Sequence, residues 1–123
     1  MTAGHAARAL CVGVRHARTT LSIRVACMAS DSPPGGREND HGQFMEVLAA
    51  AERLLREAGA DPRSILSCDV FVRGPAARTA VQAVLRPRAA RWATLPRITP
   101  HPSPFTPQAT VSLALVAARP TPL

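Results

Sequence analysis

Asp40–Arg73 reads DHGQFMEVLAAAERLLREAGADPRSILSCDVFVR, and two periodicities meet inside it. Phe44, Val47, Leu48, Ala51, Leu54, Leu55 and Ala58 recur at three- and four-residue steps, which places them on one face of a helix. Glu46, Arg53, Arg56 and Glu57 take the other face, with Glu52–Arg56 and Arg53–Glu57 spaced for surface ion pairs. Asp40 and Gln43 have capping-box spacing, and Gly59 is placed to close the helix in a left-handed turn. Burying a large apolar side chain stabilises by roughly 1.5–3 kcal/mol, against tenths for a surface pair. The apolar stripe therefore decides where this helix goes, and it is a core helix.

After the polar link ADPRS, the period changes from 3.6 to 2. In Ile65–Arg73, Leu66, Cys68, Val70 and Val72 suit a sheet face covered by the helix. Ile65, Ser67, Asp69, Phe71 and Arg73 take the other face. That second set mixes apolar and charged groups, as a face meeting another subunit or a ligand would.

Working outward, Arg8–Arg15 puts Leu10, Val12 and Val14 on one side of a first strand. The link HARTT leads to a second strand, Leu21–Met28, in which Leu21, Ile23, Val25 and Cys27 alternate with Ser22, Arg24, Ala26 and Met28. The two form a hairpin. Ser30–Asn39 is a loop by composition. Pro75 opens a second helix with a stripe of Ala77, Val81, Val84 and Leu85, and Pro87 ends it near Arg86. Trp92 is expected to pack beneath the connection that follows. Two further extended segments, Arg97–His101 and Ala109–Ala118, flank the proline-rich HPSPFTP. The order is β-β-α-β-α-β-β in one domain spanning 1–123, with 1–7 and 119–123 expected to fray.

Composition narrows the function classes. At 46% hydrophobic residues the chain is globular, not disordered. The net charge of +7 comes from 15 basic residues that are all arginine, scattered along the chain apart from Arg86, Arg88 and Arg91. With three Phe, one Trp and no Tyr, there are few platforms for base stacking, which disfavours nucleic acid as a partner. Cys11, Cys27 and Cys68 are odd in number and form no CxxC pair, so neither a disulfide framework nor a zinc site is expected. Reduced thiols fit a cytoplasmic setting. No run approaches the roughly 20 apolar residues of a membrane span. HExxH, GxSxG, P-loop and GxGxxG motifs are absent, and neither a cofactor nor a metal is expected.

The helix, the segment AGADPRS and the strand ILSCDVFVR together resemble the middle of the RidA family, also called the YjgF family of reactive-intermediate deaminases. The element order extends that resemblance over roughly residues 8–118. It implies an α+β sandwich like trimeric chorismate mutase, one mixed sheet with two helices on one face. It also implies a homotrimer in which the other sheet faces meet, with pockets for small, carboxylate-bearing ligands at the subunit boundaries.

The family's chemical motifs are altered here. Family members carry P-A-R-(S/T), whose Arg grips a carboxylate as a bidentate fork. This chain has Pro96-Arg97-Ile98-Thr99, which sets Ile98 at the Arg position and Arg97 one residue early. A one-residue offset in a strand turns a side chain to the opposite face. The family's V-E-I-E-A reads Val111-Ser112-Leu113-Ala114-Leu115, without either carboxylate. Val81-Gln82 matches a "vN" pair, and the Ser-Gly that closes the family's second strand is missing from IRVACMAS. The candidate ligand-binding residues are Arg24, Gln82, Arg97, Ser112 and His101, and no catalytic residue is assigned.

With Ala114 in place of the family Glu, imine hydrolysis by the usual route is not expected. The resemblance then implies a RidA-like enzyme of a specialised, biosynthetic pathway. It would act on an imine- or enamine-type intermediate by dehydration, cyclisation or tautomerisation. The alternative is a non-catalytic protein that binds a small metabolite or a partner enzyme. Imine deamination and RNA cleavage rank behind both.

Overall fold

The computed structural model describes residues 10–27, 37–92, 94–101, 109 and 111–120. Five strands and two helices follow in the expected order: β1 (Leu10–His16), β2 (Thr20–Cys27), α1 (Arg37–Glu57), β3 (Ile65–Val72), α2 (Pro75–Leu85), β4 (Arg97–Thr99) and β5 (Val111–Ala118). The strands form one sheet in the order β1-β2-β5-β3-β4. All neighbours are antiparallel except β3 and β4, which run parallel, so the sheet is mixed.

α1 buries the stripe read from its periodicity: Phe44, Val47, Leu48, Ala51 and Leu55 are closed to solvent, and Leu54 and Ala58 pack partly against the core. Beneath it lie Leu21, Ile23 and Val25 of β2, Leu113 and Leu115 of β5, and Val70 and Val72 of β3. The helix starts at Arg37, so Asp40 falls inside it and the expected Asp40–Gln43 cap is not at the terminus. Gln43 is instead buried. The other end matches expectation. Gly59 has φ +80°, Ala60 N–H donates to Leu55 O at 2.8 Å and Gly59 N–H to Arg56 O at 2.9 Å, the paired bonds of a Schellman cap. Of the two expected surface pairs, Arg53–Glu57 forms, at 3.9 Å.

α2 buries Ala77, Val81, Val84 and Leu85 as expected, together with Ala80. Arg88 Nη1 donates to Val84 O at 3.0 Å, satisfying a carbonyl that the helix end leaves open. Trp92 belongs to the core, as the sequence suggested. β2 begins one residue earlier than expected, at Thr20, and Met28 lies outside the described residues. β4 is shorter than the expected Arg97–His101, ending at Thr99.

β3 departs from strict alternation at its start. Ile65, assigned above to the uncovered face, is 1% exposed and in the core, whereas Leu66, assigned to the core, is 55% exposed. The cause is a bulge: Ile65 pairs with Ala117 and Ser67 with Val116, which leaves Leu66 as the extra residue. From Ser67 onward the expected phase holds, with Cys68, Val70 and Val72 buried. Thr94 Oγ1 lies 3.2 Å from Ile65 O and 3.4 Å from Leu66 O, so one hydroxyl serves the carbonyls at the irregularity.

The bulge sets opposite outcomes for neighbouring residues. Ile65→Ala should destabilise by about 2–5 kcal/mol through the cavity it leaves. Leu66→Ser should stay within about 0.5 kcal/mol of the parent, as exposed substitutions do. Urea unfolding monitored by Trp92 fluorescence compares them directly.

Candidate functional site

The helices cover one face of the sheet, and the side chains of the opposite face follow from the register. Gly13 pairs with Arg24, Arg24 with Ala114, Ala114 with Asp69, and Asp69 with Arg97. These five residues form one row across all five strands. The next row toward the hairpin end runs Arg15, Ser22, Val116, Ser67. A groove of about 290 Å³ lies over the two rows, lined by Arg15, Ser22, Arg24, Ser67, Asp69, Ala114, Leu115 and Val116. Its floor is β5, where Ala114 and Val116 are small or apolar. The β1–β2 wall carries two guanidinium groups and the β3 wall one carboxylate.

Arg24 leans toward β1. Its Nε and Nη2 lie 3.5 Å from where a Cβ on Gly13 would stand, an ordinary contact distance. Asp69 is held on the other side: Arg97 Nε donates to Asp69 Oδ1 at 3.0 Å. The Asp69 side chain is 27% exposed and that of Arg97 is 78% exposed, so the pair sits at the rim of the sheet with its acid side sheltered. Burial, with the Asp69 charge adding to it, pushes the adjacent Cys68 thiol up to about 12. Cys68 is on the core side and outside the groove.

The five candidate residues are not gathered in one place. Arg24 and Arg97 share the row, but Arg97 is engaged by Asp69 and does not line the groove. Ser112 is on the same face one row further along, opposite Ala26 and Phe71, yet it is only 1% exposed and does not line the groove. Gln82 belongs to a separate cleft of about 350 Å³ between α2 and the approach to β4, lined with Leu85, Arg86, Leu95, Pro96 and Ile98. Ile98 pairs with Val70 and packs partly against the core, so it faces away from the groove. His101 is exposed beyond β4 and lines neither cavity.

Asp69 and Arg15 are site residues that the sequence reading did not single out. Asp69 carried a signal, being an acid inside an apolar alternating strand. Its partner could not be known without the β3–β4 pairing. Among the described residues, no three His, Cys, Asp or Glu side chains come together in a way that could hold a metal. No helix among them is long and apolar enough to cross a membrane.

With that geometry in place, the chain can be set beside known proteins. It is similar to the crystal structure of a candidate translation initiation inhibitor from Salmonella typhimurium, with a TM-score of 0.62 at 20% identity over 87% of this chain and 88% of that one. It is also similar to an uncharacterized protein from Pseudomonas aeruginosa, with a TM-score of 0.53 at 18% identity over 88% of this chain and 98% of that one. No family model matches the sequence, and no curated protein matches it. The shared feature is the fold, a chorismate-mutase-like α+β arrangement of one mixed five-stranded sheet and two helices.

Two thiols should report the two sides of the sheet. Cys11 is exposed and Cys68 buried. In a Cys27→Ser background, Ellman titration of the native protein at pH 8 should find one fast-reacting thiol, with the second appearing only on unfolding.

Proposed function

We propose that this protein binds a small, carboxylate-bearing intermediate of the imine or enamine type in the groove over β5, as a RidA-like protein of a specialised pathway. The observation that carries the reading is the row itself, in which Arg24 and Asp69 flank Ala114 above a small-residue floor. Arg24, with Arg15 beside it, supplies the cation for a carboxylate. Asp69 supplies an acceptor for the ligand's N–H. The groove promotes dehydration, cyclisation or tautomerisation chiefly by positioning the ligand and excluding water from it.

Hydrolysis of short α-imino acids is not the proposed reaction. Ala114 offers no carboxylate at the family's position, and Asp69 stands one strand away from it and is tied to Arg97. That same tie favours a second reading, a binding protein without catalysis, since the one carboxylate of the groove is already engaged by Arg97. In either reading the working form is a cytoplasmic homotrimer whose uncovered sheet faces meet. Phe71, half-buried on that face, remains in support of the trimer, but Ile65 belongs to the core and Met28 lies outside the described residues.

Light scattering at micromolar concentration should give three times the 13.0 kDa protomer mass. A stable monomer would remove the intersubunit pocket. Hexanoate serves as a carboxylate probe of the groove in NMR titrations. Arg24→Ala should weaken its binding about tenfold or more, the loss of one charge-assisted hydrogen bond, with the melting temperature nearly unchanged. Absence of any carboxylate binding by the parent protein would overturn the reading. A coupled assay that releases 2-iminopropionate should show little acceleration of pyruvate formation. An acceleration that Asp69→Asn abolishes would restore plain deamination.

A further inference from the structure

The chain's charge is divided unevenly along its length. All eight acids lie within residues 1–69, together with eight of the 15 arginines, so that portion carries no formal net charge. Residues 70–123 hold the other seven arginines and no Asp or Glu, and they account for the whole +7. Part of this charge is committed inside the fold: Arg97 is paired with Asp69, and Arg88 Nη1 donates to Val84 O. Arg78 and Arg86 lie outside the core. They stand four residues to either side of Gln82, on one exposed flank of α2 beside its buried stripe. The 3-10 turn Arg86–Arg91 continues from the helix and adds Arg91, also exposed.

That flank opens on the cleft of about 350 Å³ between α2 and the approach to β4. Gln82 and Arg86 line it from the helix, and Leu95, Pro96 and Ile98 from the other side. Leu85 is nearly closed to solvent, whereas Leu95 is 68% exposed. One exposed leucine on a surface needs no explanation. Here it joins three other apolar residues around a concavity that carries two polar heads and no acid. Ile98 pairs with Val70 and packs against the core, so the cleft is on the helix side of the sheet. It does not belong to the sheet face that other copies would cover.

We propose that this cleft docks an acidic peptide segment of another protein. An apolar side chain of that segment seats among Leu85, Leu95, Pro96 and Ile98, and its flanking carboxylates meet Arg86 and Arg78. Charge complementarity selects the partner, because a basic flank within an acid-free part of the chain attracts acidic segments and repels basic ones. The apolar lining separates it from a nucleic acid, whose bases need aromatic faces to stack on; none of the lining residues is aromatic. The proposal is independent of what the groove over β5 binds.

The test titrates a short peptide, a central leucine–phenylalanine pair flanked by glutamates, into the intact isotope-labelled protein by NMR. Shifts should gather on Gln82, Arg86, Leu95 and Ile98. Replacing the central pair by serines, or the glutamates by glutamines, should each weaken binding about tenfold or more. Arg86→Ala and Leu95→Ser should do the same with the melting temperature nearly unchanged, since both side chains are exposed. An oligothymidylate or the serine peptide binding as tightly as the parent peptide would overturn the proposal, because the flank would then be a general polyanion surface. So would shifts confined to other parts of the molecule, or no binding at millimolar peptide. The peptide series on the parent protein decides the point even if a variant fails to fold. Hexanoate binding is read at the groove and peptide binding at the cleft, so this proposal and the proposed function fail separately.

Discussion

The burial of the α1 stripe against β2, β5 and β3 is the constraint on which the rest of the molecule depends. Phe44, Val47, Leu48 and Leu55 find partners only if Leu21, Ile23, Val25, Leu113, Leu115, Val70 and Val72 all point to the same side. Each of these side chains contributes roughly 1.5–3 kcal/mol when buried. No surface charge pair competes, since the exposed Arg53–Glu57 contact lies in the range of about 0.2–1 kcal/mol. Because side chains alternate along a strand, fixing the core face also fixes the other one. Arg24, Ala114 and Asp69 stand in a row because their neighbours must be under the helix.

Much of this was legible from periodicity. The apolar residues of α1 and α2 identified both helices, and the alternation in β2 and β5 put Arg24 and Ala114 on the uncovered face. Gly59 was recognisable as the end of α1, because only a residue tolerant of φ +80° closes the turn without strain. The helix start was less legible. Asp40 and Gln43 have cap spacing, but Gln43 lies among core residues, and the helix runs back to Arg37. Spacing alone does not separate a cap from two polar residues inside a helix.

What alternation missed has two physical causes. The first is the bulge at Leu66. Ile65 and Leu66 are both apolar, so either could be the buried one, and only pairing to Ala117 and Val116 decides it. The second is strand order. β5, last in the chain, inserts between β2 and β3, and the parallel β4 joins the far edge. Asp69 and Arg97 are 28 residues apart in sequence, and nothing local says that they pair. Arg97 was recognisable as a cation facing away from the helices. Its role changed because its neighbour turned out to be an acid.

Ala114 leaves the floor of the groove without a charge between the Arg24 side and the Asp69 side. A glutamate there would rise from the groove floor between Arg24 and Asp69, where it would pair with the first and repel the second. Alanine places no charge there, so the guanidinium groups of one wall and the carboxylate of the other flank an uncharged floor. Arg97 engages the Asp69 carboxylate from the β4 side, so the one acid of the groove is already paired at its rim.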